Sequence, residues 1–224
     1  MKHGLAALLI VVLGPALFAS GAGSMSPPPP SGQSRSPHDQ AADYYNGGER
    51  RLEKLTKMHE EMKAQADPQK AAALQQKITR GLEAAQGDFE RAIKNDPNLF
   101  QAYSELGFTL RKLGKYNESL DAYNKALEIQ PGFSPAVEYR AEAYLGLNQL
   151  DEVKKAYTEL FAGDRPRADI LMVSMKSWLN DRRTNANGLD TQKLDEFSKW
   201  VDQRQTIAGQ TSSLTTSSPN FRSW

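Results

Sequence analysis

Two long apolar stripes open the patterned part of the chain. Leu52, Leu55, Met58 and Met62 recur every three or four residues, and Ala71, Leu74, Ile78, Leu82, Ala85, Phe89 and Ile93 do the same further on. That spacing places each set on one face of a helix. Asp67-Pro68 between them makes a turn and a helix start, because proline suits the first helical position. The expectation is an antiparallel pair over residues 41–95. Shorter stretches follow at 99–114 with 115–130, and at 134–147 with 149–162. Pro131-Gly132 and Asp164-Arg165-Pro166 break the pattern between them. Ile170, Leu171, Val173, Ser174, Trp178 and Leu179 suit a further helix. After a loop at 182–188, a last helix over 190–206 presents Leu194, Phe197, Trp200 and Val201 on one face and charges on the other. Asp190 is a usable cap for it, without a full capping box.

The shorter pairs share a period. A step of 34 residues takes Ala102 to Ala136, Gly107 to Ala141, Leu110 to Tyr144, Leu113 to Leu147, Glu118 to Glu152 and Tyr123 to Tyr157. The same step backwards takes Tyr123 to Phe89, Ala126 to Ala92 and Pro131 to Pro97. Gly114 maps onto Asn148. Glycine and asparagine most readily enter the left-handed conformation that ends a helix, so one turn is expected twice. Gly107, or Ala141 in the next copy, lets the two helices of a pair touch closely. Ala126 and Ala92 do so where pairs stack, and the aromatics at 89, 123 and 157 fill the space between pairs.

From Phe100 to Phe133 the chain resembles the tetratricopeptide repeat. Tyr103, Leu106, Gly107, Leu110, Ser119, Tyr123, Ala126 and Pro131 fall on its bulky, small and stop positions. The resemblance implies an all-α fold: a short right-handed superhelix of antiparallel helix pairs. Here an extended N-terminal helical hairpin precedes the regular pairs and a C-terminal capping helix pair follows them. It is specific over 85–161 and partial over 41–84 and 166–205. Tyr44, Gly48 and Leu52 match opening slots whose closing proline belongs at 72 but stands at 97. About 25 residues are therefore inserted, enough to prolong each helix outward by about three turns. After 166, Met175 stands where a tiny residue belongs. An atypical last pair suits a solenoid that must close its apolar end, with Trp178 and Trp200 as capping side chains or, alternatively, a partner-binding stripe.

The resulting expected organisation is a signal peptide at 1–22, a Pro/Ser-rich disordered linker at 23–40, and the lengthened degenerate hairpin at 41–98. Regular repeats at 99–132 and 133–165 follow, then capping helices at 166–206 and a disordered Ser/Thr-rich tail at 207–224. Lys2 and His3, the apolar run from Leu5 to Ala19 and the small residues Ser20-Gly21-Ala22 have the layout of a secretory signal. This points to an exported protein, periplasmic or secreted, with residues 5–22 as an inner-membrane anchor if the segment stays uncleaved. The closing Phe221 and Trp224 suit either an unselected tail or a short docking peptide.

Composition removes most chemistry. There is no cysteine, so thiol nucleophiles, disulfides and cysteine metal sites are absent, and the fold rests on packing alone. The net charge is +1 with acids and bases interspersed, which excludes the sustained basic run expected of a nucleic-acid or anionic-lipid binder. Of three histidines, His59 alone lies in the helical region, and no second histidine stands a turn away to form a zinc site. No phosphate loop or nucleophile elbow occurs. The expectation is no enzyme activity, no cofactor and no metal.

The function implied by the resemblance is a non-enzymatic interaction scaffold or adaptor of the bacterial cell envelope. It would bind a protein or peptide partner in the groove lined by the first helix of each pair. The groove positions are Gln101, Ser104, Phe108, Arg111 and Lys112, then Pro135, Glu138, Glu142, Leu145 and Gly146. The candidate protein-binding residues are Gln101, Ser104, Phe108, Arg111, Lys112, Glu138 and Glu142. Phe108 is an aromatic outside the packing slots. Arg111 and Lys112 suit an acidic ligand, Glu138 and Glu142 a basic one, unless they pair with each other. The lysine/asparagine clamp by which some family members hold a terminal carboxylate is missing. The alternative is a membrane-anchored structural component of an envelope assembly, with the hairpin and C-terminal helices as permanent oligomer contacts.

Overall fold

The computed structural model describes residues 35–186 and 188–216, with side chains as far as Gln210. The expected signal segment, most of the linker and the chain end from 217 lie outside the described residues. Among those described there are eight helices and no strand, and none of the helices is long and apolar enough to cross a membrane. They group into two compact units, 35–131 and 132–216.

The N-terminal unit contains α1 (Pro37–Ala64), α2 (Pro68–Asn95), α3 (Phe100–Lys112) and α4 (Tyr116–Ile129). α1 and α2 have 28 residues each, against 13 and 14 in α3 and α4. α1 starts inside the segment expected to be linker. The cause is local: the Ser36 hydroxyl accepts the Asp39 amide at 3.1 Å and Pro37 occupies the first helical turn. Asp67 caps α2 in the same way, accepting from Gln69 and Lys70 ahead of Pro68. Leu55, Met62, Ile78 and Leu82 form a core between the prolonged helices, with Leu52, Met58, Ala71, Leu74 and Leu113 packed against it. The methionines are thus part of the packing of the hairpin.

Helix pairing follows the small residues. A Cβ at Gly48 would lie 2.5 Å from the Phe89 ring and one at Gly107 would lie 2.7 Å from the Tyr123 ring. Both rings are fully buried, each worth about 2 kcal/mol relative to exposure. Ala85, Ala92 and Ala126 are equally buried where helices close on each other. Ser119, another small slot, donates its hydroxyl to the Gly107 carbonyl at 2.8 Å and ties α4 to α3.

The C-terminal unit contains α5 (Ser134–Gly146), α6 (Leu150–Gly163), α7 (Arg165–Thr184) and α8 (Thr191–Thr216). The turn from α5 to α6 reproduces the one from α3 to α4. Gly114 has φ 77° and Asn148 φ 58°. The Lys115 amide reaches the Leu110 carbonyl, and the Gln149 amide the Tyr144 carbonyl, both at 2.9 Å. Trp178 of α7 meets Phe197 of α8 edge-on, Phe197 stacks on Trp200, and Trp200 meets Tyr157 of α6 edge-on. Both tryptophans therefore close the apolar end of this unit. Asp190 accepts the Gln192 amide at 2.6 Å and starts α8. α8 continues ten residues past the expected end at 206, into the segment expected to be a disordered tail. Ala208 is buried there, and its carbonyl accepts from the Arg165 guanidinium at 2.7 Å.

Candidate functional site

In the N-terminal unit the expected groove residues lie along α3. Phe108 is half-buried, with the Arg111 guanidinium 5.4 Å and the Lys112 ammonium 5.1 Å from its ring centre. The two cations come from the next turn of the same helix, three and four residues on, and both side chains are half-buried. Gln101 is half-buried two turns earlier on the same face. Ser104 is not on an open surface: it is 1% exposed, and its hydroxyl finds no hydrogen-bond partner among the described residues.

In the C-terminal unit Glu138 is fully buried and bonded to Arg167 of α7 at 2.9 Å. Burial pulls the Arg167 guanidinium down, but the bond to Glu138 and the neighbouring Tyr139 outweigh it and hold it above its ordinary value. Glu142 is half-buried and accepts the Ser174 hydroxyl at 2.5 Å. Both acids therefore bind α7 to α5. Leu145 is buried, and Pro135 and Gly146 are half-buried.

One acidic group on α3 escaped the sequence reading. That group is Glu105, which lies near Glu49 of α1. Burial first, then the Glu49 charge, pushes Glu105 up to about 8, and burial also raises Glu49 from its ordinary value. Tyr45 sits beside both and is pushed far up by burial and their charges. The signal was available: Tyr45 and Glu49 are one turn apart, and Glu105 is the residue after Ser104. What the pattern lacked was any mark that α1 and α3 bring those turns together. Nearby, Asp88 of α2 is buried between Arg51 of α1 and Arg91, each at 3.1 Å.

Asn148, Gln149, Asp151, Glu152, Lys193 and Glu196 border a polar recess of about 450 Å³ where α6 begins beside α8. Its lining is mostly polar, with Lys154 paired to Asp151 and Leu150 as its apolar member. It has no convergent apolar wall of the kind that holds a small molecule.

Paired helices with repeated small-residue contacts and a twice-built left-handed turn define an α-helical-hairpin repeat protein. The tetratricopeptide repeat family model matches residues 100–133. Residues 100–133 thus carry a tetratricopeptide repeat. The chain is 49% identical over 43 residues to Small glutamine-rich tetratricopeptide repeat-containing protein 2 of Saccharomyces cerevisiae, covering 19% of this chain and 12% of that one. It is 41% identical over 49 residues to the protein of the same name from Mycosarcoma maydis, covering 22% and 14%. The chain thus matches only a small part of these relatives. A solved structure, the TPR2B-domain:pHsp70-complex of yeast Sti1, aligns over 74% of this chain and 98% of its own with TM-score 0.40 and 16% identity.

Proposed function

We propose that the protein is a non-enzymatic interaction scaffold of the bacterial cell envelope, exported by its N-terminal segment, and that α3 is the surface on which it holds a peptide or helix. The observation that carries this reading is Phe108. The packing slots of the repeat are filled by Tyr103, Leu106, Leu110 and Tyr123, yet Phe108 lies half-buried outside them with Arg111 and Lys112 beside its ring. An aromatic flanked by cations favours a ligand with an apolar side chain next to a carboxylate. Glu138 and Glu142, engaged with Arg167 and Ser174, support structure in this reading and a basic ligand is disfavoured.

The experiment is a pull-down from envelope extract with the wild-type chain beside Phe108→Ala/Arg111→Ala. Loss of specific bands with the double variant supports α3 as the binding surface, and identical bound proteins from both overturn it. Mass spectrometry of the native N-terminus tests export: a chain beginning near Gly23 supports it, and an intact Met1 in the membrane fraction favours the anchored structural role.

A further inference from the structure

His59 belongs to the buried stripe of α1. Leu55, His59 and Met62 are spaced four and three apart, so they share one face, and all three are at most 7% exposed. Leu55 and Met62 are core residues of the hairpin, against which Leu113 at the end of α3 also packs. The imidazole Nε2 is sealed from solvent and finds no hydrogen-bond partner among the described residues. The charges facing it come from two helices: Glu60 and Lys63 on α1 and Lys112 on α3. Glu60 already holds Lys63 at 3.0 Å. α2 contributes the apolar Leu74, Ile78 and Leu82 to the cluster on this stripe.

We propose that His59 is a proton-operated latch at the joint between the α1–α2 hairpin and α3. Neutral imidazole fits the apolar stripe. Protonation adds a positive charge and a second N–H donor where two lysines stand close and Nε2 has no hydrogen-bond partner among the described residues. Burial, then Lys63, with Lys112 adding to it against the opposing Glu60, hold the imidazole below its ordinary value. The sign follows. The fold favours the neutral form, so the contribution of the joint is complete above the unfolded value of 6.5 and is lost as pH falls below it. The cheapest relief is local: Leu113 and Lys112 withdraw from the hairpin and water reaches the ring.

The test uses the full chain with ring-labelled histidine and amide hydrogen exchange corrected for the intrinsic effect of pH. His59 is expected to titrate below 6.5. Exchange over residues 52–82 and 106–113 is expected to quicken by at least about tenfold from about pH 8 to about pH 5, and His59→Gln to abolish that acid response. Titration of His59 at or above 6.5, or an unchanged acid response in the variant, overturns the latch. Should His59→Gln fail to fold, Lys112→Gln in the histidine-bearing chain decides. It should raise the His59 midpoint and move the opening to higher pH; if both stay where they are, the latch is wrong.

Discussion

A methyl group at Gly107 would meet a ring that has nowhere to go. Tyr123 is fully buried, and the added Cβ would lie 2.7 Å from it. Alanine improves helix propensity by about 1 kcal/mol, but overpacking costs about 1–3 kcal/mol, so Gly107→Ala is expected to destabilise the N-terminal unit in urea unfolding followed by circular dichroism. Gly114 is demanding for a different reason. Its Cβ would meet nothing within 4 Å, yet φ is 77°. Gly114→Ala should cost about 1 kcal/mol through the backbone alone, whereas Asn148→Gly, at φ 58° in the equivalent turn, should be neutral or slightly stabilising in the same assay. These residues were legible in the sequence because each repeats one period away, and the period records contacts inside a pair. The groove residues were less so. The burial of Ser104 and Glu138 depends on helices packed from elsewhere in the chain. For Glu138 that helix begins more than twenty residues further on, where the repeat pattern has already decayed.

Helix termini show the same division at the scale of elements. Asp67-Pro68 and the left-handed turns mark their boundaries in the sequence itself, and the helices begin and end where those residues stand. The start of α1 and the end of α8 do not follow composition. A single hydroxyl cap and proline start α1 in a stretch whose prolines suggest a tether. α8 carries on through polar residues because Ala208 packs and Arg165 bonds its carbonyl. Between α5 and α7 the controlling contact is the Glu138–Arg167 pair. Removing one partner of a buried pair strands the other charge, so Arg167→Leu should destabilise the C-terminal unit by about 3–5 kcal/mol. The double variant Glu138→Leu/Arg167→Leu should recover most of that loss, because two apolar side chains leave no charge to desolvate. Tryptophan fluorescence in urea measures both: Trp178 and Trp200 belong to this unit. Equal stability of single and double variants would mean that the pair does not control the contact.

At the scale of the molecule, the two units respond to pH through different groups. The N-terminal unit carries Glu49, Glu105 and Tyr45 where α1 and α3 meet, and His59 at the joint beyond. The carboxylates have opposite sign to the histidine. Glu105 is raised from 4.5 to about 8, chiefly by burial and then by Glu49, so the fold favours its protonated form. Its contribution is therefore complete below 4.5 and is lost as pH rises towards about 8, while that of His59 is lost as pH falls below 6.5. Below 6.5 the two slopes oppose each other, whereas from 6.5 to about 8 only the Glu105 slope acts, so the wild-type unit should weaken as pH rises through that range. Each substitution should uncover the other slope. Glu105→Gln, which keeps the shape and removes the charge, should leave a unit that weakens only in acid, whereas His59→Gln should leave one that weakens only as pH rises. Circular dichroism melts across about pH 5–9 would show both trends. The tryptophan signal of the C-terminal unit should follow neither, because none of these groups belongs to it. If both variants keep the wild-type profile, the opposed titrations are not what sets the pH response of the hairpin and α3.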